Sequence, residues 1–369
     1  MSKKILFLSP LPPPIYGSNL SCQTCLEVIQ ESKTFEIQNI KLNKSVRFDE
    51  VGKLTGKKLI ASLGLTWQIV KTVRKFKPDL VYLMPSTAGV AFYRDFGSAL
   101  VLKLMKQKIV YHVRTHINDD DIENKVRFFY FKNAFKNSTV IVLGQELKTA
   151  LVNFTSSEKV KILPNAIAKS VSDIEYRKIE AERLKFKTLN LLFLSNMMRD
   201  KGWLKALKVA KLLKDADADF HFRFAGSWPS HSEETEFYKF LNRHQLNDCV
   251  SYIGFVDGNR KREILAKSDL LIFPTEYRHE ALPRVIIEAM EFGIPVIANS
   301  IAAIPSTIVD NYTGFLLTEN TPEEIISKLE YFNSKEVIGV MGSCARKRYL
   351  DYYELEGFKE KFIGIIEKC

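Results

Sequence analysis

The chain has 369 residues, 46% hydrophobic and 26% charged, the balance of a globular protein with core enough for two or three domains. No apolar run approaches the ~20 residues that a membrane span needs, and the run in MSKKILFLSP stops at prolines, short of a secretory signal, so a cytoplasmic protein is expected. A net charge of +11 favours anionic partners, a phosphorylated substrate or a membrane surface, and without a helix-turn-helix, RNP or zinc-finger pattern nucleic acid ranks last.

Lys4–Ser9 reads as a buried strand, followed by Pro10, Pro12, Pro13 and Pro14, then Gly17, then a helix opened by Ser18 or Asn19. The prolines stiffen this loop and Gly17 permits close backbone approach to a ligand. Cys22 and Cys25 form a C-x-x-C, but no second pair exists for a metal, and an odd total of five cysteines makes no disulfide framework. They are read as packing residues. Phe35–Leu42 is a second strand. The stretch Lys44–Lys77 is strongly basic and interleaved with Leu54, Leu59, Ile60, Leu63, Leu65 and Trp67. It fits either an interfacial segment on anionic lipid or a core-facing helix with a solvated basic back.

Strands at Asp79–Met84 and Lys108–Val113 flank a helix expected over Arg94–Lys106. This alternation predicts a doubly wound parallel sheet, whose ligands sit beyond the strand C-termini. Those ends carry Pro85, Ser86 and Thr87 after the first strand, and Arg114, Thr115 and His116 after the second, with His112 inside it. Thr139–Leu143 and Val160–Leu163 are further strands, and the charged Ser170–Lys187 reads as a linker.

The second half restarts with a strand, Leu189–Ser195, then SNMMRDKG and a long amphipathic helix, with Lys201 at its entrance. His221–Gly226 is the next strand, and VSYIGFVDGNRKREILAKSDLLIFPT runs strand, loop, helix, strand. His279–Ala298, HEALPRVIIEAMEFGIPVIA, reads as loop, helix, turn, strand. Glu280 is expected at the helix start and Glu288 two turns inside, about 12 Å along the axis. The helix N-terminus between them is an anion site, where two carboxylates could bracket a diphosphate, one holding sugar hydroxyls and the other a ribose; taken alone, the pair reads more simply as two surface glutamates on an amphipathic helix. A glycosidase pair fits poorly, since its carboxylates stand roughly 5–9.5 Å apart across one bond. Thr321-Pro322-Glu323-Glu324 is a helix start, and a last helix is expected over about Glu354–Lys368.

The segment SDLLIFPTEYRHEALPRVIIEAMEFGIPVIANSIAAIPSTIVDNYTGFLL resembles the Glu-x7-Glu region of the retaining glycosyltransferases of family 4. The resemblance implies a GT-B fold: two Rossmann-like, doubly wound α/β domains facing across a cleft. An N-terminal acceptor domain would span 1–168 with a returning helix at about 352–369, and a nucleotide-sugar domain 169–351. It implies Glu280 as catalytic, with His116 or Arg114 at the place of the family's strand-end histidine. Donor contacts would come from Gly17, Asn196, Arg199, Lys201, Gly254, Phe255, Val256, Ala281, Leu282, Pro283, Arg284, Val285 and Glu288. Two departures stand out: one glycine where the family has an adjacent pair, and Asn196 where it has the arginine of Gly-Arg-Leu, with Arg199 close by.

The reading is a retaining transfer from a UDP- or GDP-type nucleotide-sugar to a glycan or lipid-linked acceptor of cell-surface polysaccharide synthesis, at the inner face of the membrane. No cofactor or metal is expected, because no Asp-x-Asp stands at a strand end. A nucleotide-sugar 2-epimerase of the same fold would need several acid/base groups that are not visible. A non-catalytic binder would tolerate loss of Glu280, and a membrane-docking scaffold would leave the second half unexplained.

Overall fold

The computed structural model describes residues 2–13, 17–42 and 56–369, with side chains in the helix Gly56–Phe76 described from Ser62 onward. Lys44, Arg47, Lys53 and Leu54 of the basic stretch therefore lie outside the described residues, and of Lys57, Lys58, Leu59 and Ile60 only the backbone is described. Two units are present: Met1–Asn165 together with Glu356–Cys369, and Ala166–Leu355.

In the first unit β1 (Lys3–Ser9), β2 (Phe35–Lys41), β3 (Leu80–Leu83), β4 (Ile109–His112), β5 (Thr139–Val142) and β6 (Val160–Ile162) form a parallel sheet in the order β2-β1-β3-β4-β5-β6. The inner strands LVYL and IVYH are buried throughout, as expected where helices cover both faces. Phe7 of β1 lies opposite Tyr82 of β3 and stacks on it at 4.7 Å. The helix Leu355–Lys368 packs against this unit: Phe362 meets Tyr82 edge-on at 5.5 Å, and Lys3 Nζ donates to the Ile366 carbonyl at 2.8 Å. Cys22 and Cys25 form no disulfide and are buried on the helix Gly17–Glu31, and burial pushes the Cys22 thiol up to about 12.

The second unit repeats the plan with β7 (Leu189–Leu194), β8 (Phe220–Ala225), β9 (Val250–Tyr252), β10 (Leu270–Phe273), β11 (Val296–Asn299) and β12 (Gly314–Leu317), ordered β12-β11-β10-β7-β8-β9 and parallel throughout. Leu191, Phe193, Trp203, Phe222, Phe224, Ile272 and Ile297 fill its core. Each large apolar side chain buried there contributes about 1.5–3 kcal/mol before entropy is counted.

Three expectations are corrected. The helix expected over Arg94–Lys106 spans Gly89–Leu104, because Gly89, at a φ of +59°, lets the chain turn into it five residues sooner. The linker Ser170–Lys187 contains a helix, Asp173–Leu184, nucleated by a reciprocal capping box of Ser172 and Glu175. Arg183 ties that helix to the unit by donating to the carbonyls of Leu265, Ala266 and Phe292. Glu280 does not sit where a helix begins. The helix is Arg284–Glu291, and Pro283 holds the chain before it extended, so Glu280 belongs to a loop.

Candidate functional site

The second sheet reverses direction between β7 and β10: the chain runs outward through β8 and β9, then returns to the other side of β7. Ligands of such sheets bind beyond the strand carboxyl ends at this reversal. The loop after β7 brings Asn196 to Lys201 there, and the loop after β10 brings Pro274 to Glu280. Gly202 holds the two loops close. At its φ of +94° an added Cβ would stand 2.5 Å from the Pro274 carbonyl oxygen. Gly226 does the same between the β7 and β8 loops, where a Cβ would stand 1.7 Å from the Ser195 oxygen.

Across the reversal Lys201 Nζ meets Glu280 Oε2 at 2.5 Å, with side-chain exposures of 14% and 10%. The ammonium also lies 4.3 Å from the centre of the Tyr277 ring, a cation–π contact. Thr275, fully buried, directs its Oγ1 towards both Glu280 Oε2 and the Asp200 carbonyl, each at 3.4 Å, and accepts from the Tyr277 amide at 3.2 Å. The Glu276 amide donates to the Asp200 carbonyl at 2.7 Å, and Lys205 pairs with Glu276. The two loops thus form one hydrogen-bonded piece, with a carboxylate and an ammonium at its centre.

Glu288 lies in the second turn of the helix Arg284–Glu291, half-buried, where it accepts from Lys261 Nζ at 2.8 Å and has Arg284 Nε at 4.0 Å. Ala281, Leu282 and Pro283 are buried in the approach to that helix, and Arg284 and Val285 open its first turn, half-buried. The first amides of a helix have no intrahelical acceptor and carry the positive end of its dipole. After β9, Gly254 takes a φ of +76° and its carbonyl accepts from the Gly226 amide at 3.0 Å. Beside it Phe255 is exposed and Val256 buried.

Asn196 is half-buried in the loop after β7. Arg199 turns elsewhere: its Nη1 reaches both carboxylate oxygens of Glu236, at 2.8 and 2.7 Å, on an exposed surface. In the first unit Gly17 begins the helix after the proline loop and is exposed. His112 is buried, with Nδ1 2.6 Å from Tyr82 Oη and Nε2 3.3 Å from Arg114 Nη1. Burial, reinforced by Arg114, holds this imidazole well below its ordinary range and hence neutral. Accepting from Arg114 at Nε2, it carries its proton on Nδ1 and donates to Tyr82. His116 is half-buried, and burial lowers its pKa although Asp119 and Asp121 oppose the shift.

Lys201 with Glu280, and Glu288 with Arg284, are thus brought together as pairs, whereas Arg199 is drawn away. Thr275, Tyr277 and Lys261 were missed. Thr275 and Tyr277 had a sequence signal in their place, just after an apolar strand and a proline. Lys261 had none, being one of four charged residues in NRKRE. Among the described residues no group of three or more His, Cys, Asp or Glu is placed to hold a metal ion.

Residues 175–347 match the family Glycosyl transferases group 1. An uncharacterized 41.2 kDa protein in the cps region of Klebsiella pneumoniae is 26% identical over 286 residues, 75% of each chain. A putative colanic acid biosynthesis glycosyltransferase, WcaL of Salmonella typhimurium, is 23% identical over 207 residues, 55% of this chain and 50% of that one. Among solved structures, Anabaena HepE in complex with UDP and glucose superposes over 100% of both chains, with a TM-score of 0.72 and 16% identity. The fold is that of the GT-B glycosyltransferases.

Proposed function

Since residues 175–347 are a group 1 glycosyl transferase domain, we propose that the protein transfers a sugar from a nucleoside-diphosphate sugar to an acceptor in cell-surface polysaccharide synthesis. The observation that carries this reading is the Lys201–Glu280 pair at the sheet reversal, ahead of a helix that carries Glu288 in its second turn. Lys201 and the amides of Ala281, Leu282, Arg284 and Val285 bind the diphosphate. Glu288 accepts from the ribose hydroxyls, and Lys261 holds its carboxylate in place for that role. Glu280 receives the sugar hydroxyls. Gly254, Phe255 and Val256 border the base, and Asn196 lines the loop after β7. In the first unit Gly17 contributes to the donor side, and Arg114 and His116 stand at the strand end where the reacting sugar meets the acceptor.

As the glycosidic bond to the leaving diphosphate breaks, charge develops on its oxygens. The helix N-terminus and Lys201 stabilise that charge in place, the task a divalent ion performs elsewhere, so no metal is required. Transfer retains the anomeric configuration, as the resemblance to family 4 implies. In the free protein Lys201 is already engaged by Glu280. Donor binding therefore exchanges one anionic partner of Lys201 for another and releases Glu280 towards the sugar.

A peripheral membrane contact through Lys44–Lys77 belongs to the same reading. On the described part of that stretch Leu63 and Trp67 are 67% and 66% exposed and one turn apart, and Lys71, Arg74 and Lys75 are exposed beyond them. That is the make-up of an interfacial helix. Among the described residues no helix is long and apolar enough to cross a membrane.

The deciding experiment is a thermal-shift screen against UDP, GDP, ADP and their sugars. A ligand at 100 times its dissociation constant adds about 2.7 kcal/mol, several degrees for a protein of this size. A shift with one nucleotide that vanishes in Lys201→Ala fixes the donor class. A cooperatively melting protein that shifts with none of them refutes the reading.

A further inference from the structure

Arg114 is a cation that its surroundings do not neutralise. It stands half-buried at the carboxyl end of β4, in the first unit. Nη1 lies 3.3 Å from His112 Nε2 and 3.9 Å from Cys25 Sγ, Nη2 donates to Asn165 Oδ1, and the buried Nε reaches no acceptor among the described residues. None of these partners is a carboxylate. Burial holds His112 neutral, and it raises the Cys22 and Tyr82 pKa values far enough that neither supplies a negative charge near pH 7.

Two neighbouring arginines show how this unit treats a structural guanidinium. Arg94 donates through Nε to the buried Asp95 at 2.7 Å. Arg127 pairs with the buried Asp121, donates to the Thr87 carbonyl and lies 4.6 Å from the Phe92 ring centre. Each has a carboxylate from its own unit. Arg114 has none among the described residues. Drawing a guanidinium partly out of water with only neutral partners is unfavourable unless a ligand supplies the missing charge, and its planar fork of donors matches two oxygens of one anion.

We propose that Arg114 is the receptor for an oxyanion, a carboxylate or a phosphate, carried by a substrate of this protein. The inference rests on the glycosyl-transfer reading and narrows the substrates to those bearing such a group. Two sources share this chemistry: the carboxylate of a uronic acid, and the phosphate of a lipid-linked or phosphorylated acceptor. The His112–Tyr82 hydrogen bond acts through Arg114, because a neutral imidazole with its proton fixed on Nδ1 presents an acceptor that steers Nη1 without cancelling its charge.

The test uses the full chain and two variants, Arg114→Gln and Arg114→Lys, titrated calorimetrically with matched probes. Glucuronate against glucose reports the sugar source, and geranyl phosphate against geraniol reports the phosphate source. Wild type should bind the ionised member of one pair at least tenfold more tightly than its neutral partner. Arg114→Gln should remove that preference, and Arg114→Lys should keep part of it, having the charge without the fork. The pair that shows the effect identifies the source. UDP affinity, measured alongside, should be unchanged in both variants. If wild type shows no preference within either pair, or Arg114→Gln keeps it, Arg114 is a structural clip and the proposal falls. A wild type that keeps its anion preference but binds no nucleotide would sink the glycosyl-transfer reading alone. Should Arg114→Gln fail to fold, the wild-type preference and its reduction in Arg114→Lys decide.

Discussion

Removing the ammonium of Lys201 should destabilise the second unit more than removing the carboxylate as well. In Lys201→Met, Glu280 stays in a site where its side chain is 10% exposed, with Thr275 Oγ1 at 3.4 Å. Breaking a buried pair on one side costs about 3–5 kcal/mol, and the residual exposure of both groups argues for about 3. Neutralising the partner too, in Lys201→Met/Glu280→Gln, removes the stranded charge, so the double variant should recover about 2 kcal/mol. At about 2–4 °C per kcal/mol for a domain of this size, the single variant should melt roughly 6–12 °C lower. The three tryptophans are Trp67, Trp203 and Trp228. In a Trp67→Phe background, fluorescence follows the second unit alone through urea unfolding. A Glu280→Gln loss that simply adds to that of Lys201→Met would show the pair to be uncoupled and refute the argument.

The other expectations concern turnover, pH, backbone and metal. Glu280→Ala should lose turnover at least a hundredfold with UDP or GDP affinity kept, whereas Glu288→Ala should weaken the nucleotide itself; both are read from turnover with a competing titration, and wild-type behaviour in either removes that residue from its role. Because His112 resists protonation in the folded state while the unfolded chain takes a proton near the ordinary 6.5, stability is fully present above that pH and falls below it, by up to about 1.4 kcal/mol per pH unit. Melts from pH 7.5 to 5 should show a steeper fall in wild type than in His112→Gln, and parallel curves would contradict this. Gly202→Ala combines a disfavoured φ with a Cβ 2.5 Å from the Pro274 carbonyl oxygen, and should lose about 2–4 kcal/mol in urea unfolding; an unchanged midpoint would mean that the two loops part readily. EDTA should leave turnover unaltered, and a lasting loss restored by manganese would overturn the metal-free mechanism.

The strands were legible because a parallel strand buried on both faces is written as an unbroken apolar run, as in LVYL and LLIF. Helix starts were less so. Ser172 and Glu175 spell a capping box inside a charged stretch of linker-like composition, and Pro283 postpones to Arg284 the helix expected to start at Glu280. Glu280 and Glu288 could be singled out because they lie within one contiguous segment. The partnership of Lys201 with Glu280 could not, since 79 residues separate them and only the adjacency of β7 and β10 brings them together. Arg199 shows the reverse: it lies close in sequence to Asn196, where the resemblance expects an arginine, and an acidic residue on a later helix claims it first.

The last helix belongs to the unit that the first strand begins. The second unit is one uninterrupted stretch of chain and can be cut out whole, whereas the first is assembled from two segments that flank it. During synthesis the first sheet must therefore wait, its Tyr82 uncovered by Phe362 and Lys3 without the Ile366 carbonyl, until residues 356–369 have been made. The second unit, made later, is free to finish sooner. A frameshift or nonsense change anywhere ahead of Glu356 would strike the part of the protein made first.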